Sequence, residues 1–328
     1  MSYFSESVCN QASTVCMPVK FAALCSKLNE EQKGVVKVIG FESLLSIPAM
    51  PIQHILLEDL AEKYNEVDRS FRIHDHVVPI STWDVYCILG LVDVGDKIEI
   101  STKKADPRWF NLYKGRDDTA ITFKHLEERI GSGTADDHFA RMFVMYTIGT
   151  VLAPSSKEYV SSRYVDLVPD ISKIKGYNWA QFTLEYLIDH LALFKKNKRT
   201  GLVGNLAFLQ VWFFEHFQAA GDCFDYARHE HPLIKNWGGN KVVKRAHLEG
   251  IKKFGAEKVV IRLQLNDSEA RTDSDHLEEE IGEGSSDGMN SDYFENVDFT
   301  DNGEKEEKKL DGSNDDEKGD GCLREVPI

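Results

Sequence analysis

Residues 205–217 read Asn205-Leu-Ala-Phe-Leu-Gln-Val-Trp-Phe-Phe-Glu-His-Phe217, and this stretch decides the fold class. If it is helical, its apolar side chains fall on nearly every side, so no face is left for water. A helix with that pattern belongs at the centre of a core, surrounded by other elements. We therefore predict a mainly α domain built around this segment.

A long amphipathic helix is predicted immediately before it. Asn178 is a suitable N-cap, and the apolar residues that follow recur at three- and four-residue intervals as far as Phe194. The basic run Lys195-Lys-Asn-Lys-Arg199 complements the partial negative charge of the helix end, and Gly201 follows it. The sequence therefore predicts where this helix starts and ends and which of its faces is buried.

Nearer the N-terminus, residues 51–80 predict a helix followed by a hairpin. Pro51 opens an amphipathic stretch of about four turns, and its predicted buried face consists of Ile52, Ile55, Leu56, Leu60 and Tyr64. Residues 70–80 alternate apolar and polar around a His-Asp-His turn, which is typical of a short β-hairpin. Pro79 has no N–H to donate, so its strand is expected at a sheet edge.

Three further helices carry signals at their ends. Ser81 and Asp84 have the spacing of a capping box, and Gly90 closes that helix. The second runs from Thr122 to Ile130, where glycines break it, and the third runs from the Asp136-Asp137 pair to Pro154. A polar connector over 93–118 is expected between the first and the second of these helices, and a mobile stretch over 155–175 is expected after the third.

The acidic residues are concentrated at the C-terminus. Residues 267–328 hold 22 Asp and Glu against 6 Lys and Arg, a net charge of −16, whereas residues 1–266 hold 32 acidic and 33 basic residues. The C-terminal stretch also lacks a sustained apolar period, so it cannot bury enough surface to offset the entropy of ordering. We predict a flexible N-terminus over 1–20, one irregular helical domain with a short β-hairpin over 21–266, and a disordered acidic tail over 267–328.

Several classes of protein do not fit the sequence. Residues 1–20 lack the basic and apolar segments of a leader, and no run of about 18 apolar residues occurs, so we expect a soluble intracellular protein without a membrane partner. Free thiols are expected rather than a zinc module or a disulfide scaffold, because no Cys-x-x-Cys pair is present. The cysteines are Cys9, Cys16, Cys25, Cys87, Cys223 and Cys322.

Three groups of motifs follow one another over about residues 35–240. They are Gly40-Phe-Glu-Ser-Leu-Leu-Ser-Ile47, Val78-Pro-Ile-Ser-Thr-Trp-Asp-Val-Tyr-Cys-Ile-Leu-Gly-Leu91, and a series from Phe143 through Gly149-Thr-Val-Leu-Ala-Pro-Ser-Ser-Lys157, Tyr159-Val-Ser161, Tyr177-Asn-Trp-Ala-Gln-Phe182 and Asn205-Leu-Ala-Phe-Leu-Gln-Val-Trp212. In this order they resemble the plant mobile domain family, also called aminotransferase-like, whose relatives precede ubiquitin-like-protein protease domains in transposon-derived plant proteins. The resemblance implies a mainly helical domain with no established catalytic residues to carry over.

No catalytic constellation is recognised, and we do not expect an enzyme. An aminotransferase needs a Schiff-base lysine and a glycine-rich phosphate turn on an α/β scaffold, and Lys157 lies in a loop without that pattern. A cysteine protease of the related kind needs Gly after its nucleophile, and an acid and a histidine earlier in the chain, whereas Phe224 follows Cys223. A degenerate member of a protease-associated family, with Cys223 as its candidate nucleophile, is the least favoured hypothesis.

Two His-x-His pairs raise the question of a metal site. His74 with His76, and His229 with His231, have no further ligand motif beside them, so they are interpreted as polar turn residues. We predict no metal, no cofactor and no small-molecule substrate.

Two basic patches supply the candidate polyanion-binding residues. The first patch is Lys195, Lys196, Lys198 and Arg199, and the second is Lys241, Lys244, Arg245, Lys252 and Lys253. Clustered cations contact phosphates or an import receptor, but cations at the end of a helix also simply complement its dipole. Both interpretations stay open at this point.

The leading hypothesis is a non-enzymatic interaction domain in the nucleus that binds protein or chromatin partners. The alternative is a transposon-derived protein that binds nucleic acid through the two basic patches. The acidic tail is either a solubilising extension or a device that competes with nucleic acid for these patches or docks to a basic partner. Its serines lie among acids, where acidophilic kinases act, and phosphate would add to the negative charge.

Overall fold

The computed structural model describes residues 17–100, 105–116, 118–220, 224–252, 256 and 258–265. Within these ranges the chain consists mainly of α-helices and short 3-10 turns, with small antiparallel sheets, so the predicted mainly α class is confirmed. The predictions for residues 1–16 and for the acidic tail lie outside the described residues. None of the described helices combines the length and the apolar character that crossing a bilayer requires.

The elements follow in chain order. The α-helices are α1 (Pro18–Cys25), α2 (Glu30–Val38), α3 (His54–Glu62), α4 (Thr82–Leu89), α5 (Pro107–Tyr113), α6 (Phe123–Ser132), α7 (Asp137–Thr147), α8 (Trp179–Lys196), α9 (Leu206–His216) and α10 (Gly239–Lys252). The strands are β1 (Tyr64–Asn65), β2 (Ser70–Ile73), β3 (His76–Pro79), β4 (Ile121–Thr122), β5 (Tyr159–Val160), β6 (Phe217–Gln218) and β7 (Lys258–Val259). They form one sheet of order β1-β2-β3 and two pairs, β4 with β5 and β6 with β7.

Helix α9 lies at the centre of the core, as its pattern predicts. All 11 of its residues are buried, and Asn205 caps it by accepting a hydrogen bond from the N–H of Phe208. Helices α3 and α4 pack against it. The ring centres of Trp212 and of Phe71 in β2 are 4.6 Å apart, and those of Phe214 and Trp237 are 4.8 Å apart. The surrounding elements thus cover α9 on all sides.

The predicted helix caps are present. Asn178 accepts from the N–H of Gln181 at the start of α8, and Ser81 and Asp84 form the capping box of α4. Gly90 ends α4 in the left-handed region with φ 71°. Local side-chain chemistry therefore fixed these boundaries, although α6 continues two residues past the predicted Ile130.

The hairpin also has the predicted form. Strands β2 and β3 pair antiparallel with Ser70 opposite Pro79, and His74 stands in the turn with φ 51°. Because the sheet order is β1-β2-β3, Pro79 lies on an edge strand, where its missing N–H costs no ladder bond.

The predicted buried face of the helix after Pro51 is partly wrong. Helix α3 begins at His54 and buries Leu57, Leu60 and Ala61, whereas Ile55 is 80% exposed. Helical spacing admits two neighbouring faces on this segment, and packing of α3 against α8 and α9 selects the one that contains Leu57.

The two connectors contain more structure than predicted. In the stretch 155–175, expected to be mobile, Tyr164, Val165 and Ile174 are buried. Arg141 of α7 holds the same stretch by donating to the carbonyl oxygens of Val168 and Pro169, each at 3.1 Å. Helix α5 lies inside the polar connector 93–118. Its N-cap, Asp106, and its first residue, Pro107, are helix-start signals that the connector prediction overlooked.

Glycine conformation gives a test of this fold. We expect Gly90→Ala to lower the free energy of unfolding by about 1–3 kcal/mol, because φ is positive there and the new Cβ would lie 2.5 Å from Ser43 Cβ. Gly34→Ala is the matched control, since Gly34 is exposed within α2 and a Cβ there meets nothing within 4 Å. That substitution should raise stability by about 0.5–1 kcal/mol. Urea denaturation measures both free-energy changes, provided that the dependence of the free energy of unfolding on urea concentration stays the same in the variants. Equal effects of the two substitutions would contradict the described turn at Gly90.

Candidate functional site

The first basic patch lies at the C-terminal end of α8, beside acidic residues of α3 and the β1–β2 turn. Lys198 Nζ is 2.7 Å from Glu62 Oε1, and Lys196 Nζ is 3.6 Å from Glu66 Oε2. The hydrogen bond and the charge of Glu62 raise the pKa of Lys198. Lys195 Nζ donates to the carbonyl oxygen of Tyr64. These cations therefore bind groups of their own domain.

The second patch contains one residue that is not on the surface. Arg245 is completely buried, its Nη1 is 2.7 Å from Glu249 Oε1, and its Nη2 donates to the carbonyl oxygen of Phe217. Its guanidinium carbon lies 5.5 Å from the ring centres of Phe213 and Phe214. Burial lowers the pKa of Arg245, and the negative charge of Glu249 offsets part of this lowering. The prediction that Arg245 binds a polyanion is wrong, because this side chain points into the core.

The other cations of the second patch differ in their surroundings. Lys241 Nζ is 3.1 Å from His229 Nε2 and 5.7 Å from the ring centre of Trp237. Lys244 is exposed, Lys252 is the last residue of α10, and Lys253 lies outside the described residues.

The structure anchors the two patches to different elements. The first binds the α3–β1 region, and the second binds the C-terminal end of α9 and the turn at Trp237. Within the described part of the chain, Arg199 and Lys244 are the exposed patch residues whose side chains make neither an ion pair nor a hydrogen bond. Two such cations can neutralise only about two phosphates, so their attraction for a nucleic-acid backbone is weak.

A buried carboxylate–histidine pair, not predicted from the sequence, joins α4 to α9. His216 Nε2 is 3.2 Å from Asp84 Oδ1, and its Nδ1 faces the carbonyl oxygen of Val260. The second oxygen of Asp84 accepts from the N–H and the hydroxyl of Ser81. The imidazole ring lies between these two oxygen atoms, so His216 links α4 to the segment after β7.

A second pair lies next to it along α9. His229 Nδ1 and Trp237 Nε1 both approach Glu215 Oε1 at 2.7 Å. Since Lys241 donates to His229 Nε2, the histidine accepts at that nitrogen and donates from Nδ1 to the carboxylate. Lys241, His229 and Glu215 therefore form a continuous chain from the side of α10 into the core.

Both pairs are closed to a substrate. The side chains of Asp84, His216, Glu215 and His229 are 4% exposed or less. A general base must come within hydrogen-bond reach of the proton that it removes, and these ring nitrogens face protein groups instead. The signal for them was the Glu215-His216 dipeptide within an otherwise apolar helix, because buried polar groups need partners.

The residues considered for enzyme or metal chemistry have ordinary contacts. Lys157 Nζ lies 5.3 Å from the ring centre of Tyr159, and His231 Nε2 is 2.9 Å from the carbonyl oxygen of Tyr86. Cys223 lies outside the described residues. In the part of the chain that the structure describes, no three His, Cys, Asp or Glu side chains are grouped to hold a metal ion.

A groove of about 190 Å³ lies along α8 and was not predicted from the sequence. One wall is formed by residues 97–100. These residues directly follow Asp96, which forms a parallel β-bridge with Tyr177. The other wall is a stripe of α8 with aromatic and acidic side chains at helical spacing. The residues used below are Ile98, Ile100, Phe182, Glu185, Tyr186 and Asp189.

Comparison with known proteins adds relatives. The family described as "Domain of unknown function (DUF8566)" matches residues 14–210. Protein MAIN-LIKE 1 of Arabidopsis thaliana is 23% identical over 237 residues, which cover 65% of this chain and 45% of that protein. Protein MAIN-LIKE 2 of the same plant is 20% identical over 231 residues, which cover 66% of this chain and 35% of that protein. No solved structure matches.

The chain thus aligns with less than half the length of each of these two relatives. Both relatives support the plant mobile domain relationship that the three groups of motifs indicate.

The buried ion pair gives a stability test. We expect Arg245→Met to lower the free energy of unfolding by about 3–5 kcal/mol, because it removes the cation facing the buried Glu249 carboxylate. Adding Glu249→Leu should recover most of that loss, since an apolar pair needs no desolvated charges. Lys244→Met, at the exposed neighbour, should change stability by less than about 0.5 kcal/mol. Equal losses for Arg245→Met and Lys244→Met, measured in urea, would refute the buried position.

Thiol reactivity gives a second test. Burial raises the pKa of both Cys25 and Cys87 to about 12, so at about pH 8 only about one thiol in ten thousand is ionised. We expect iodoacetamide to leave both unlabelled in the native protein and to label both after unfolding in urea. Peptide mass spectrometry assigns the sites, and rapid native labelling of either cysteine would contradict its buried position.

Proposed function

The chain belongs to the DUF8566 family, and we propose that it is a transposon-derived plant mobile domain protein with a non-enzymatic, partner-binding helical body. In this proposal the body binds a protein or chromatin partner in the nucleus, and the acidic tail adjusts that binding. Since the chain aligns with only part of its relatives, the proposal concerns this domain and its tail.

One observation carries the choice of a protein partner over nucleic acid. Lys195, Lys196 and Lys198 bind α3, β1 and the β1–β2 turn, Lys241 faces His229, and Arg245 is buried. The candidate cations are thus largely used inside the domain, where they position helices. A domain of net charge +1 with two exposed, unpaired patch cations attracts a phosphate backbone weakly.

The buried carboxylate–histidine pairs support the non-enzymatic part of the proposal. They are the described groups that most resemble general acid–base machinery, and their contacts tie α4, α9 and the segment after β7 together. An interaction domain needs this rigidity but no accessible base.

Salt dependence of DNA binding separates the two hypotheses. Two phosphate contacts reduce affinity about tenfold between about 50 and 200 mM salt, whereas four reduce it more than about a hundredfold. We expect fluorescence anisotropy of a DNA duplex with the full chain to show the smaller change or no binding. The larger change, abolished when Lys195, Lys196, Lys198 and Arg199 are replaced by Gln, would overturn the protein-partner proposal.

Partner capture is the direct test. The tagged full chain, cross-linked in plant nuclear extract, should retain a reproducible set of proteins that a tag-only control lacks. Treating the extract with nuclease removes partners bridged by nucleic acid. Recovery of no protein above the control would contradict the proposal.

A further inference from the structure

The groove along α8 has the size of a side-chain site. Small-molecule and cofactor sites enclose about 300–1,000 Å³, and this groove measures about 190 Å³. It is therefore too small for a cofactor but suits one long side chain of a partner.

The apolar part of the groove is already shaped. Ile98 and Ile100 form one wall, and the rings of Phe182 and Tyr186 form the other. The hydroxyl of Tyr186 donates to the carbonyl oxygen of Pro154 at 3.1 Å, which fixes this ring. Phe182 packs edge-on against Trp179 and Tyr164. A bound apolar stem would therefore find rings already held in place.

The charged side chains that line the groove are Lys97, Glu185 and Asp189, so its lining carries a net negative charge. Within the described residues, Lys97 makes no ion pair with either carboxylate. Glu185 and Asp189 are four residues apart on α8, which places them on the same side of the helix. Glu185 accepts from Gln181 Nε2 at 3.0 Å, and exposed Asp189 makes no ion pair within the described residues. The groove thus carries two carboxylates whose charge is not balanced by a contacting cation of the described residues.

We propose that this groove receives a lysine or arginine side chain of a basic segment in the partner protein. The alkyl stem packs between the isoleucines and the two rings, and the cationic head lies at Glu185 and Asp189. Long cationic side chains bind in this way, with an apolar stem buried and the charge at the water boundary, and aromatic faces also attract cations. This inference rests on the proposed function, because it names the chemistry of the partner.

A titration tests the groove without knowledge of the partner. The probe is N-acetyl-lysine methylamide, and N-acetyl-norleucine methylamide is its uncharged counterpart with the same stem. The full chain carries labelled isoleucine δ1 methyls, and Ile98→Leu and Ile100→Leu assign the two relevant NMR signals. We expect saturable shifts of both signals with the lysine probe and affinity weaker by about two- to fivefold for norleucine.

Matched variants isolate the carboxylates. Glu185→Gln with Asp189→Asn should weaken lysine binding by about two- to fivefold and leave norleucine binding unchanged. Glu58→Gln with Asp59→Asn removes the same charge from exposed residues of α3 and should change neither. The inference is overturned if the lysine probe does not shift Ile98 and Ile100, if norleucine binds equally well, or if both double variants behave alike.

The same variants separate this inference from the proposed function. If the full chain and the Glu185–Asp189 double variant capture the same partners equally, the partner-binding proposal stands and the groove inference fails. If the full chain captures no partner, the proposed function fails, and the titration still decides whether the groove binds a cationic side chain.

Discussion

Complete burial of α9 is the constraint on which the other elements depend. Gln210, Glu215 and His216 are enclosed with their apolar neighbours, and a buried polar atom without a partner costs about 1–3 kcal/mol. Gln210 therefore accepts from the N–H of Gln53 and donates to the carbonyl oxygen of Pro51, which fixes the start of α3. Glu215 fixes the turn at Trp237, and His216 fixes α4 and the segment after β7. The apolar surface of α9 drives burial, and its polar residues determine the position of each neighbour.

The same constraint explains why the sequence predicted more cations at the protein surface than the structure places there. The C-terminal end of α9 is inside the domain, so its carbonyl groups need donors that water cannot supply. Arg245 supplies one at Phe217, and the buried guanidinium is accompanied by Glu249. Arg245, which the sequence assigns to a binding patch, therefore donates to a carbonyl group at the end of α9 instead. The end of α8 is exposed, and there lysines bind Glu62 and Glu66.

Much of the fold could be predicted because its signals are local. The caps at Asn178 and Ser81, the glycine at Gly90 and the all-round apolar pattern of α9 each act within a few residues. The buried face of α3 could not be predicted, since it depends on helices more than a hundred residues away along the chain. Arg245 was misjudged for the same reason: a helical pattern gives spacing on the helix and does not give the side that faces the core. The groove depends on the pairing of Asp96 with Tyr177, for which the sequence has no signal.

The position of the groove follows from how α8 is covered. Helix α8 has 18 residues and buries Leu184, Leu187 and Leu191 against the core, so one flank of it faces outward. Residues 97–100, which follow Asp96, form the other wall of the groove along that flank. The ring of Phe182 lines the groove and also packs against Trp179 and Tyr164. In the proposed complex, the carboxylates of Glu185 and Asp189 give this groove a preference for a cation over an apolar side chain. A surface that the fold leaves partly covered thus acquires selectivity from the residues that border it.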